Sequence, residues 1–180
     1  MPIPTVVTPL KLPTQEALAR PTNPLVQHSP DTPASVLLTD FRHERASVVA
    51  PDRHVDAALN EMILTGVRAL LVVEAQQVIG LITATDIMGP KPIQFLQNPL
   101  CDGTPCRHEH VHVSDVMTPL SSLDLLPIEW LESHTCADLA TRFGATDTTH
   151  QLVVGRSDDG QLVTRGIVSR TRLMRQVALT

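Results

Sequence analysis

The chain has 180 residues, 42% hydrophobic and 18% charged, which is enough to bury a core without disulfides or structural metal and leaves an apolar surface of the kind oligomers carry. Fourteen Lys and Arg against nineteen Asp and Glu give a formal charge of −5, which argues against a phosphate-neutralising nucleic-acid face. Three Phe, one Trp and no Tyr leave almost nothing from which to build a stacking ladder for single strands.

Eight of the fifteen prolines lie in residues 1–34. Each removes a backbone donor and biases its predecessor toward extended conformations, so this segment is expected to be a flexible arm. Pro21 and Pro24, and Pro30 and Pro33, stand at PxxP spacing, and a polyproline ligand for a partner protein is the functional alternative. The opening MPIPTVVTPLKLPTQ lacks the basic start and apolar stretch of a secretory signal, and three cysteines are an odd number. The expectation is a soluble cytoplasmic protein with free thiols.

From residue 35 the chain repeats itself. Residues 55–73, VDAALNEMILTGVRALLVV, and 136–154, CADLATRFGATDTTHQLVV, have equal length and the same course. Apolar residues at helical spacing (Val55, Ala58, Leu59, Met62, then Cys136, Leu139, Ala140, Phe143) run into a short strand ending Leu-Val-Val or its equivalent. After a polar turn come GLITATDI at 80–87 and GIVSRTRL at 166–173, each a strand leading into a helix start. Upstream, SVLLT at 35–39 matches SDVMT at 114–118, and short strands are expected at 47–49 and 128–131. The predicted fold is α/β of the α+β kind. Each copy is a three-stranded sheet with two helices on one face, and the copies pack sheet to sheet about a pseudo-twofold axis that leaves two clefts between them. The predicted divisions are 1–34, 35–98, a Cys- and His-containing linker at 99–112, and 113–180.

The doubled arrangement, and especially G-h-h-T/S-x-x-D after the second hairpin strand, resembles the cystathionine beta-synthase (CBS) domain family in its tandem form, the Bateman module, and suggests a stand-alone bacterial-type protein. That family is regulatory and non-catalytic, is commonly dimeric, and often binds AMP, ADP, ATP or S-adenosylmethionine between its domains. The resemblance implies Asp86 on the ribose hydroxyls, Thr83 near the ribose or phosphate, and Arg68 facing phosphates. A carboxylate can accept two hydrogen bonds from a cis-diol. Val48, Val49 and Ile82 are the candidate adenine walls. In the second copy Ser169 holds the hydroxyl position but Arg172 stands where the acid should be, with His150 and Arg170 nearby. One nucleotide site, organised by Asp86, is expected.

Thr83 and Asp86 also satisfy the capping-box template. Cys101, Cys106, His108, His110 and His112 are chemically suited to zinc or copper, but three such histidines in an extended chain would stand about 6–7 Å apart, wide for one tetrahedral ion. A crossover loop without metal is therefore the expectation. No catalytic motif or cofactor is expected; Cys136 reads as core and Trp130 as a core or interface residue on a strand. The functional expectation is a sensor of an adenosine-containing ligand with an unknown regulated protein, the alternatives being a structural adaptor with vestigial clefts or a metal-responsive protein.

Overall fold

A computed structural model of the chain describes residues 27–97 and 107–177. The first repeat comprises β1 (Thr39–Asp40), β2 (Val48–Val49), α1 (Val55–Thr65), β3 (Ala69–Glu74), β4 (Gln77–Thr83), α2 (Ala84–Met88) and α3 (Lys91–Leu96). The second comprises α4 (Val113–Val116), β5 (Thr118–Pro119), β6 (Leu126–Pro127), α5 (Ile128–Ser133), α6 (Cys136–Gly144), β7 (His150–Arg156), β8 (Leu162–Ser169) and α7 (Arg170–Gln176). Among the described residues no helix is long and apolar enough to cross a membrane.

The helical spacing read from the sequence decides which face of each long helix is buried. Val55, Ala58 and Met62 of α1 are buried, as are Cys136, Leu139 and Phe143 of α6. Alternation along the strands then divides the apolar residues between two layers. Leu70, Val72 and Ile82 pack under the helices of the first repeat. Leu71 and Leu81, one residue out of phase, meet Leu152, Phe41, Leu123, Leu125 and Ile167 between the two sheets. The expected sheet-to-sheet pairing is therefore present, and its middle layer is entirely aliphatic but for Phe41.

Each sheet has four strands rather than the expected three, because the repeats exchange their lead-in strands. The sheets run β2-β3-β4-β5 and β1-β8-β7-β6. Leu81 pairs with Thr118 in one, and Ile167 with Thr39 in the other. The segments before these strands follow them. Val111, Val113 and Val116 complete the first core, while Ala34 and Leu37 complete the second. Two glycines make the crossings possible. A Cβ on Gly80 would stand 2.6 Å from the Thr118 carbonyl oxygen, and one on Gly166 would stand 2.3 Å from that of Thr39. Asp40 then locks β1 by accepting two hydrogen bonds from Arg165, at 2.9 and 2.8 Å, the paired geometry that suits guanidinium and carboxylate.

Three further expectations are corrected. The segment 128–131 is helical: the parallel strand is only Leu126–Pro127, and Trp130 lies on α5, stacked on His134 with ring centroids 4.2 Å apart. The arm does not extend to residue 34. His28 donates its amide to the Gln176 carbonyl at 2.6 Å, and the carbonyls of Pro30 and Thr32 accept from Ala137 and Cys136, so this stretch is held against the second repeat; Pro21 and Pro24 lie outside the described residues. Finally, His108–His110 is a 3₁₀ turn rather than extended chain, which removes the spacing argument made for those histidines.

Candidate functional site

Two clefts lie between the repeats, each floored by one strand exchange. The first, about 340 Å³, is lined by Leu81, Thr83, Asp86, Thr118, Leu123, Asp124, Asp147, Thr149, His150 and Gln151. Thr83 is the N-cap of α2, and its capping box with Asp86 is complete. The Thr83 amide and hydroxyl donate to Asp86 Oδ2 at 2.8 and 2.6 Å, and the Asp86 amide donates to the Thr83 hydroxyl at 3.2 Å. Lys91 Nζ stands 2.6 Å from the other carboxylate oxygen and also donates to the Val116 carbonyl at 3.0 Å. Both oxygens of Asp86 are thus engaged within the protein, and a ribose diol would share Oδ1 with Lys91. Asp124 is likewise paired, with Arg142, and accepts from Gln151 Nε2 at 3.2 Å.

The second cleft, about 450 Å³, is lined by Arg45, Arg68, Arg172 and Arg175 with Glu44 as its carboxylate. Phe41, Val67, Ala69, Leu71 and Ile167 supply apolar wall. Arg172 is oriented by hydrogen bonds from Nη1 to the Thr39 hydroxyl at 2.9 Å and from Nε to Gln176 at 3.1 Å. Ser169 caps α7, its hydroxyl accepting from the Arg172 amide at 3.1 Å. The arginine ion pairs found among the described residues belong to Arg42, Arg107, Arg142 and Arg165. Four arginines therefore line one cavity, none of them ion-paired among the described residues.

This geometry separates residues that the sequence reading grouped. Arg68 lines the arginine cleft, not the cleft of Asp86. Val49 and Ile82 are buried under the helices of the first repeat and Val48 is half exposed outside both clefts. Val49 and Ile82 were read on the wrong face of their strands, since a shift of one residue reverses the side chain; Leu81 is the cleft-facing neighbour of Ile82. Arg170 is not cleft-lining, because its guanidinium donates to the carbonyls of Phe143 and Thr146. His150 lines both clefts. Burial, then the nearby Arg68 charge, push its pKa down to about 4, with Asp86 opposing them, so the imidazole is neutral near pH 7.

Arg45, Arg175, Asp124 and Asp147 were not singled out from the sequence. Arg175 stands three residues after Arg172 on α7, a spacing that places both on one helix face; Arg45 and the two aspartates lie outside regular elements and carry no such signal. Cys136 is buried, and burial raises its thiol pKa, in keeping with a core residue. Cys101 and Cys106 lie outside the described residues.

Paired α+β repeats with exchanged lead-in strands and two inter-repeat clefts define a tandem-repeat fold, and residues 39–89 match the CBS domain. The first repeat is similar to a CBS domain over those residues, and the chain as a whole has the fold of a CBS-domain pair. Among similar solved structures, CBSX2 in complex with AMP aligns at TM-score 0.54 and 23% identity over 80% of this chain and 94% of its own. CBSX2 from Arabidopsis thaliana gives 0.51 and 24% over 80% and 92%. A protein with CBS domains from Burkholderia ambifaria MC40-6 gives 0.52 and 20% over 72% and 79%. No curated protein matches the sequence.

Proposed function

We propose that this chain is a non-catalytic regulatory module that binds an adenine nucleotide, with the phosphates held in the arginine cleft. The observation that carries the reading is the set of Arg45, Arg68, Arg172 and Arg175 around one cavity, which form no ion pair among the described residues. Guanidinium groups recognise phosphate oxygens by charge-assisted, paired hydrogen bonds, and the aliphatic wall beside them suits a purine face. The volume falls within the range of small-molecule sites. CBSX2, whose fold this chain shares, has been solved with AMP, which supports the ligand class. The Asp86 cleft is the poorer phosphate site, since its lining holds three aspartates and no arginine or lysine.

Ligand binding acts on the angle between the repeats, because each cleft is walled by both, and it shifts that angle only through different affinity for the two arrangements. A homodimer is part of the proposal. Ile63 and Leu64 of α1, Met88 of α2 and Met174 of α7 are large apolar residues left exposed on the helices, and a second copy would cover them. Thermal unfolding with AMP, ADP, ATP, S-adenosylmethionine and GTP tests the ligand. A ligand at a hundred times its Kd adds about 2.7 kcal/mol to stability. A shift with an adenine nucleotide that Arg68→Ala removes and Asp86→Asn keeps supports the reading. The reverse pattern moves the nucleotide to the Asp86 cleft, and no shift with any of the five refutes nucleotide sensing.

A further inference from the structure

Away from both clefts, the turn preceding the second repeat brings His108 beside His54 and Asp56 at the start of α1, more than fifty residues earlier in the chain. His108 Nδ1 stands 3.5 Å and His54 Nδ1 3.6 Å from the same oxygen of Asp56, and one donor atom from each of the three lies within 4.8 Å of the others. We propose that His54, Asp56 and His108 form a site for a divalent transition-metal ion of the zinc type, which fastens the inter-repeat segment to the first helix.

The spacing suits such an ion. Bonds of about 2.0–2.1 Å in tetrahedral array hold donor atoms about 3.3 Å apart; the two separations from Asp56, 3.5 and 3.6 Å, are already close to that, and all three donors lie within 4.8 Å, so closure around a metal brings the two imidazoles together by at most about 1.5 Å. The tautomer is already set. His54 Nε2 is 3.0 Å from the His108 carbonyl oxygen, which can only accept, so Nε2 carries the proton and Nδ1 the lone pair. A ligand imidazole held by its other nitrogen on a backbone carbonyl is the usual outer-shell arrangement at metal sites. In the metal-free chain that lone pair accepts the Asp56 amide at 3.2 Å as the N-cap of α1; the ion takes it in exchange for one neutral hydrogen bond.

The backbone holds the two segments in register. Val55 donates to the Val111 carbonyl at 3.2 Å, and Val113 to that of Arg53 at 2.8 Å. His54 thus lies opposite His112, with ring centroids 6.4 Å apart, while His112 itself faces Asp115 at 3.8 Å. Asp56 and His108 are exposed, so an ion has a path in and a solvent-facing position for a water ligand. Two imidazoles and one carboxylate favour zinc, nickel or copper over calcium or magnesium.

The test is calorimetric titration of the chelator-stripped full chain with Zn²⁺, paired with the absorption spectrum of the Co²⁺ form. One ion per chain is expected, with a tetrahedral cobalt spectrum free of thiolate charge transfer. His108→Ala and the isosteric Asp56→Asn should each weaken binding at least about tenfold, while His110→Ala and the Cys101→Ser, Cys106→Ser double variant retain it. Circular dichroism of each variant separates loss of the ligand from loss of the fold. No binding at micromolar Zn²⁺, equal affinity in folded His108→Ala and Asp56→Asn, or loss in the cysteine variant with a thiolate band in the parent would each overturn the assignment.

Discussion

The two clefts are built on the same plan and carry opposite charge. Each is floored by an exchanged strand, Thr118 beside Leu81 in one and Thr39 beside Ile167 in the other, and each is bordered by a hydroxyl residue capping a short helix, Thr83 or Ser169. The position three residues after the cap is Asp86 in the first and Arg172 in the second. The irregular segment that follows each lead-in strand supplies Asp124 to the first and Arg45 to the second. Backbone symmetry has therefore been kept while the chemistry of its occupants diverged. Replacement of an acid by Arg172 reads in the sequence as the loss of a ribose anchor. Beside Arg45, Arg68 and Arg175 it completes the arginine lining on which the proposed nucleotide site rests.

The sharpest way to break this comparison is to remove charge from one cleft at a time. Arg45→Ala with Arg68→Ala should weaken AMP binding about a hundredfold, on the order of two charge-assisted contacts, whereas Asp86→Asn should leave affinity within about threefold; equilibrium titration reads both. The strand exchanges are probed by the crossing glycines. Gly166→Ala drives a Cβ against both the Thr39 carbonyl and the Leu38 side chain and should cost about 2 kcal/mol, lowering Tm by about 4–8 °C at this size. Gly80→Ala, where one close neighbour is the flexible Met117 thioether, should cost about half as much by the same scan.

Smaller effects sharpen the contrast at the helix starts. Asp86→Ala removes the capping box and the Lys91 partner and should cost about 1 kcal/mol in denaturant unfolding with no ligand present. Ser169→Ala, with a simpler cap, should cost less. The shared wall has a pH signature. The pKa of His150 is lowered to about 4 in the folded chain against about 6.5 when unfolded, so in this window the unfolded state binds the proton more readily. Its contribution to stability is complete above pH 6.5 and is lost as pH falls toward 4. His150→Gln should flatten the stability profile between those limits.

The repeat, its helices and the sheet-to-sheet layering were legible because they rest on periodicity, which one chain displays in full. Val55, Ala58 and Met62 announce the buried face of α1 without reference to anything distant. The exchanged strands were not legible: Thr39–Asp40 and Thr118–Pro119 are two residues long, carry no alternation, and are defined by partners in the other repeat. Strand parity misplaced Val49 and Ile82, since continuous apolar runs such as ALLVV do not say which face meets the helices. Thr83 and Asp86 were found where a helix begins, and the capping box anticipated from them is present. Arg68 was assigned to the wrong cleft because deciding between them requires knowing which lead-in crosses over. His54 and Asp56 could not be joined to His108 from sequence at all, because the docking of residues 111–113 on residues 53–55 is a tertiary event.

The crossing of the lead-in strands makes the chain a domain-swapped dimer tied into a single polypeptide. A fragment ending near residue 97 would keep β2, β3 and β4 but expose the edge that Thr118–Pro119 covers, and its core would lack Val111, Val113 and Val116. Its own donor segment, Ala34–Asp40, would have no sheet to join. Such a half is built to capture its complement, or a second copy of itself, through the open edge. Cleavage between residues 97 and 107 should accordingly leave two fragments that stay associated and, when expressed separately, reassemble, so that the unit which evolution could duplicate is not a unit that stands on its own.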